Sequence, residues 1–141
     1  MNIAYFLHPK NDIAFLYDDF TFRQGLEKMR HHSYTATPVI TREGQYLGTV
    51  SEGDFLWKML SAEGEAFSMR DMEQLRVRDI LQPDSYPAVR ITATMEELVE
   101  SAMRQNFIPV TDDMGSFIGI VTRKDIIHFL SKRHAGVPDF Y

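Results

Sequence analysis

The sequence predicts an α/β protein built from two β-α-β-β-α repeats packed as a pseudo-two-fold pair. Three observations predict it. First, residues 38–54 align with 109–125 without a gap at an offset of 71, with identities at Pro38/Pro109, Val39/Val110, Gly44/Gly115, Gly48/Gly119, Val50/Val121 and Asp54/Asp125. Chance gives roughly one identity over such a window at ordinary residue frequencies, so this is an internal repeat. Second, both copies end on the same element, GTVSEGD at 48–54 and GIVTRKD at 119–125. In each, an apolar strand runs into a helix that opens on a hydroxyl residue and carries an acid three positions later. Third, the helices that follow, with FLWKML and IIHFL, are apolar around most of their circumference and need cover on more than one side. A repeat of 71 to 74 residues is too small to supply that cover alone.

The elements follow in order. Residues 3–9, IAYFLHP, align with 77–83, VRDILQP, as a short lead-in that ends in proline in each copy. Residues 13–17 and 86–90 are short apolar runs bounded by polar residues, which predicts one strand per copy. Thr21 and Thr94 then stand at helix N-caps, followed by apolar residues spaced at three and four (Phe22, Leu26, Met29; Met95, Leu98, Val99, Ala102). Gln24 and Glu97, three residues after the hydroxyls, complete the capping-box pattern. The PVI and PVT strands, a turn glycine at Gly44 or Gly115, and a second strand at 45–50 or 116–121 read as a hairpin in each copy. The boundaries that result are a first repeat at 1–63, a polar connector with a possible helical turn at 64–75, a second repeat at 76–134 and a C-terminal tail at 135–141.

Composition narrows the function classes. Of 141 residues 44% are apolar and 25% charged, the balance of a globular domain with a core. The net charge of -5 speaks against a general nucleic-acid binder, which needs a basic face for phosphates. The apolar run at 3–7 is interrupted by His8 and Pro9 and is too short for a signal segment or a membrane span. The chain has no cysteine, which suits a reducing compartment and leaves no thiolate for metal. The expectation is a cytoplasmic protein with no membrane partner and no metal. His31 and His32 are neighbours on a helix and point about 100° apart, so they are expected to be exposed helix-end residues rather than ligands.

The duplicated β-α-β-β-α unit, its PV strand and the paired GTVSEGD and GIVTRKD elements resemble a tandem pair of cystathionine-β-synthase (CBS) domains, the Bateman module, over almost the whole chain. The resemblance implies a stand-alone regulatory sensor with two clefts between the paired repeats, each able to take AMP, ADP, ATP, S-adenosylmethionine or a cyclic dinucleotide. By the same resemblance Asp54 and Asp125 bond the ribose hydroxyls and Ser51 and Thr122 contact phosphate. Tyr34, Thr35, Ala36 and Thr37 in one copy, and Asn106, Phe107 and Ile108 in the other, line the adenine. It further implies a flat homodimer formed through the helices and a separate protein target. The adenine nucleotide would be a regulatory ligand rather than a catalytic cofactor.

Each signal has a plainer reading. A hydroxyl N-cap with an acid at the third helical position satisfies orphan amides and complements the helix dipole with no ligand at all. Trp57, Met59, Leu60, Phe129 and Leu130 read as core and dimer packing. The copies also differ. Arg123 and Lys124 fill the first helical turn, where they oppose the dipole unless an anion is bound; Glu52 and Gly53 take those places in the first copy. The second copy is two residues shorter before its PV strand, nine residues from Met29 to Pro38 against seven from Ala102 to Pro109. Phosphate is therefore expected at Thr122, Arg123, Lys124 and Asp125, with one well-formed site and one degenerate or differently loaded site. The alternative function is a dimerisation or docking module with vestigial clefts. Catalysis is not expected, because each copy supplies one hydroxyl and one acid with no general base beside them.

Overall fold

The computed structural model describes residues 2–61 and 66–134, without the side chains of the last two; the expected tail at 135–141 lies outside the described residues. In chain order the strands are β1 (His8–Pro9), β2 (Leu16–Tyr17), β3 (Ala36–Ile40), β4 (Tyr46–Ser51), β5 (Val89–Arg90), β6 (Phe107–Thr111) and β7 (Phe117–Thr122). The helices are α1 (Phe22–His32), α2 (Glu52–Leu60), α3 (Met69–Gln74), α4 (Val77–Ile80), α5 (Met95–Arg104) and α6 (Arg123–His134), with a 3-10 turn at Ile3–Phe6 and another at Lys10–Asp12. The two repeats therefore read β2-α1-β3-β4-α2 and β5-α5-β6-β7-α6. The fold is α/β.

Two compact units result, one formed by Ala14–Tyr86 and the other, among the described residues, by 2–13 together with 87–134. In the Ala14–Tyr86 unit the sheet order is β2-β3-β4, with β2 parallel and β4 antiparallel to β3. The parallel pair requires the α1 crossover, and the antiparallel pair closes on the Gly44 turn, where φ is 93°. The other unit repeats this plan as β7-β6-β5 and adds β1 antiparallel to β7.

The lead-ins are exchanged between the repeats. Ile3 and Phe6, from the start of the chain, complete the core of Leu98, Ala102, Ile108, Val110, Val121 and Ile126. Val77 and Ile80 complete the core of Leu16, Phe22, Met29, Val39, Val50 and Phe55. The sequence marks each lead-in only as a repeated segment ending in proline; which core it completes is fixed by packing at long range. The segment before α4 is pinned by backbone bonds, Phe22 N–H to the Leu75 carbonyl at 2.7 Å and Val77 N–H to that of Phe20 at 2.9 Å.

The helix starts follow the sequence signals. Thr21 and Gln24 form a complete capping box. At Thr94 the hydroxyl accepts from the Glu97 amide at 3.2 Å, the hydroxyl half of the pattern. The connector contains α3, capped by Ser68 and Asp71. Only Phe55 of α2 is buried, and Leu56, Trp57 and Leu60 stay exposed. No helix among the described residues is long and apolar enough to cross a membrane.

Candidate functional site

Both strand-to-helix turns place their residues alike. β4 ends at Ser51, paired with Ala36, and β7 ends at Thr122, paired with Phe107. The first amide of each helix bonds back across the sheet end, Glu52 N–H to the Thr35 carbonyl at 2.9 Å and Arg123 N–H to that of Asn106 at 3.0 Å. Each turn is thereby tied to the residues expected to line a base. Tyr34, Thr35, Ala36, Thr37, Ser51 and Asp54 gather in the Ala14–Tyr86 unit. Asn106, Phe107, Ile108, Thr122, Arg123, Lys124 and Asp125 gather in the other.

The two-residue difference falls at the helix end. Helix α1 closes on left-handed Ser33 (φ 57°), and Tyr34 N–H returns to the Met29 carbonyl at 3.2 Å. Helix α5 closes on extended Gln105, whose N–H bonds the Ser101 carbonyl at 3.1 Å. The strand residues Ala36–Thr37 and Phe107–Ile108 keep equivalent registers. Where the first copy has Tyr34, half-exposed and stacked on His32 at 5.7 Å, the second has buried Gln105, whose amide donates to the Pro87 and Phe107 carbonyls. His31 and His32 are exposed at the end of α1.

The two acids part company. In the first copy Ser51 and Asp54 close a full capping box: Asp54 N–H donates to Ser51 Oγ at 3.2 Å and Ser51 N–H to Asp54 Oδ2 at 2.8 Å. In the second, Asp125 N–H likewise donates to Thr122 Oγ1 at 3.2 Å, but the carboxylate takes its bond from His8 Nε2 at 2.7 Å. This bond holds the Asp125 carboxyl below its usual range, with the Thr122 hydroxyl and the Lys124 charge adding and partial burial opposing. Lys124 is exposed, and Arg123 Nε donates to the Ala102 carbonyl at 2.6 Å, fixing the guanidinium near the end of α5.

His8 is the site residue that sequence reasoning passes over. Its signal lies in the aligned lead-ins, where Leu7-His8-Pro9 stands against Leu81-Gln82-Pro83. Thr37 also stands out. It is 1% exposed and its hydroxyl has no hydrogen-bond partner, whereas the equivalent residue is Ile108. Among the described residues no three His, Cys, Asp or Glu side chains gather as a metal site.

Comparison with known proteins agrees with this architecture. The protein MK0525 of Methanopyrus kandleri is 28% identical over 106 residues, 71% of this chain, and the chain spans about half (48%) of that protein. MJ1426 of Methanocaldococcus jannaschii is 24% identical over 82% of this chain and 84% of its own length. Among solved structures, a CBS domain protein of Streptococcus pneumoniae TIGR4 superposes with a TM-score of 0.83 at 26% identity, covering 93% of this chain and 87% of that one. CbpB in complex with c-di-AMP gives 0.86 at 23% identity over 100% and 91% of the two chains. CBSX2 in complex with AMP gives 0.74 at 21% over 94% and 98%. The CBS domain matches twice in tandem, at residues 6–61 and 77–132, and so the chain belongs to the CBS domain family.

Proposed function

We propose that this protein is a regulatory sensor that binds an adenosine-containing nucleotide, AMP, ADP, ATP or cyclic di-AMP, and signals by changing shape or partner affinity. The observation that carries the reading is the second strand-to-helix turn. There a half-exposed carboxylate, Asp125, lies between His8 and the Thr122 hydroxyl with the Lys124 charge nearby. A carboxylate accepts the two hydroxyls of a ribose, and a helix N-terminus with a hydroxyl and a cation suits phosphate. Support also comes from CbpB and CBSX2, which share the fold and were solved with c-di-AMP and AMP. The setting is the cytoplasm, and the mechanism is differential binding: a ligand favours one arrangement only by as much as it prefers it. No chemical step is required of the protein.

Titration calorimetry against AMP, ATP and cyclic di-AMP tests this. Micromolar binding is expected, near one site per chain if only the second turn is competent. Asp125→Ala is expected to weaken it by about 1.5 to 3 kcal/mol, as loss of a charged hydrogen bond does, while Asp54→Ala chiefly lowers stability through its cap. Silence across the panel from a folded protein would sink the sensor reading.

A second reading, a dimerisation or docking module, rests on the helical faces. Leu56, Trp57 and Leu60 of α2 are 58%, 71% and 69% exposed. An apolar groove of about 730 Å³ runs between α5 and α6, lined by Met95, Val99, Met103, Phe129 and Leu130 among others. The homodimer expected from the family would cover such faces, and both functions can share one molecule.

A further inference from the structure

We propose that His8 is a positioning residue that makes the second turn the nucleotide site, by holding the Asp125 carboxylate away from its N-cap amide. The inference rests on the sensor reading above. Its basis is a comparison within the molecule. Both acids donate their own amide to the hydroxyl three residues before at 3.2 Å, so both turns share this cap bond. They differ in where the carboxylate goes. Asp54 folds back to its own N-cap amide at 2.8 Å, whereas Asp125 is drawn out to His8 Nε2 at 2.7 Å.

The lead-in explains the difference. Leu7 and Leu81 occupy matching places, their Cδ1 atoms 2.9 Å and 3.1 Å from where a Cβ would stand on Gly119 and Gly48. The next residue is His8 in one copy and exposed Gln82 in the other. His8 is held to Ile120 in the β1–β7 ladder, and its carbonyl lies so close to Gly119 that a side chain there would overlap it. The imidazole therefore projects from a fixed backbone toward the start of α6. One ring N–H on Oδ2 leaves Oδ1 and further lone pairs for ligand hydroxyls, because an ionised carboxylate has about four acceptor positions. The Asp54 carboxylate likewise accepts on Oδ2 and keeps Oδ1, so what separates the two acids is the direction in which each carboxylate is held, back onto the Ser51 amide or out to His8. Sequence separation of 117 residues makes this a property of the folded unit alone.

The test is calorimetry of the full chain with AMP and with cyclic di-AMP for wild type, His8→Ala, His8→Gln, Asp125→Asn and the double variant His8→Ala/Asp125→Asn. Loss of the imidazole in His8→Ala is expected to weaken binding about three- to ten-fold, the range of one orienting hydrogen bond. The His8→Gln variant, whose side-chain amide can still donate, is expected to keep most of the wild-type affinity. In the Asp125→Asn background His8→Ala is expected to add little, since His8 acts through that carboxylate. Thermal midpoints should barely move, because a half-exposed pair contributes little to folding. Unchanged or tighter binding by His8→Ala overturns the proposal, the latter by showing that the imidazole competes with ligand. Full additivity in the double variant also overturns it. Wild-type protein that binds neither nucleotide brings down the sensor reading itself, and the proposal with it, a result distinct from binding that ignores His8.

Discussion

Thr37 carries a cost that its counterpart avoids. Its hydroxyl lies in the sheet with 1% exposure and no partner, while Ile108 fills the same place in the other repeat. A buried hydroxyl without a hydrogen bond costs about 1 to 3 kcal/mol. Thr37→Val keeps the shape and removes that cost, so chemical denaturation is expected to show a gain of about 1 kcal/mol. A loss would mean that the hydroxyl is bonded in solution. Asp125 supplies a second residue-level test. Its carboxyl is lowered from 3.8, first by the His8 hydrogen bond. A lowered folded pKa contributes stability above the unfolded value, lost as pH falls through the folded one; here that contribution is small because the pair is half-exposed. Carboxyl NMR is expected to place the Asp125 titration below the usual range and to move it upward in His8→Ala. A midpoint that ignores the substitution would show that the bond is not populated.

Among the elements, the parts readable from sequence are the local ones. Threonine caps, turn glycines and period-3.6 faces depend on residues within a few positions, and α1, α5 and both hairpins fall where those signals put them. The exchange of lead-ins and the reach of His8 to Asp125 depend on packing across more than seventy residues, which no local pattern encodes. The paired glycines show how one motif serves two such packings. Gly48 and Gly119 share φ near 155° (154° and 155°), a conformation that side chains resist. A Cβ on Gly48 would stand 2.9 Å from the Ser85 hydroxyl, which can rotate, whereas one on Gly119 meets the backbone carbonyl of His8, which cannot yield without breaking the β1–β7 pairing. Gly119→Ala is thus expected to destabilise by about 2 to 4 kcal/mol and Gly48→Ala by less, since an unyielding overlap adds to the backbone strain only in the first. Equal losses in thermal or urea unfolding would contradict the claim that β1 is rigidly seated.

For the molecule as a whole, the apolar helical surface predicts self-association. The faces of α2 and α6 carry Leu56, Trp57 and Leu60, and Ile127 at 56% exposure, an amount of large apolar surface that ordinarily marks an interface. Leu56 and Ile127 are equivalent in the repeat, so a pair of substitutions reaches both faces at once. Trp57 is the only tryptophan, which makes its emission an internal reporter of burial. If a second chain covers α2, dilution from micromolar to nanomolar concentration should shift that emission toward the red, and sedimentation should resolve dimer giving way to monomer. Leu56→Glu with Ile127→Glu places a charge at each face, where burying it unpaired costs several kcal/mol, and is expected to give a monomer with red-shifted emission at every concentration. Its thermal midpoint should then become independent of concentration, as mass action requires when assembly no longer contributes. A wild-type protein that sediments as a monomer with concentration-independent emission would remove the homodimer. The α2 and α6 faces would then be left for a different protein, which is the docking reading in its simplest form.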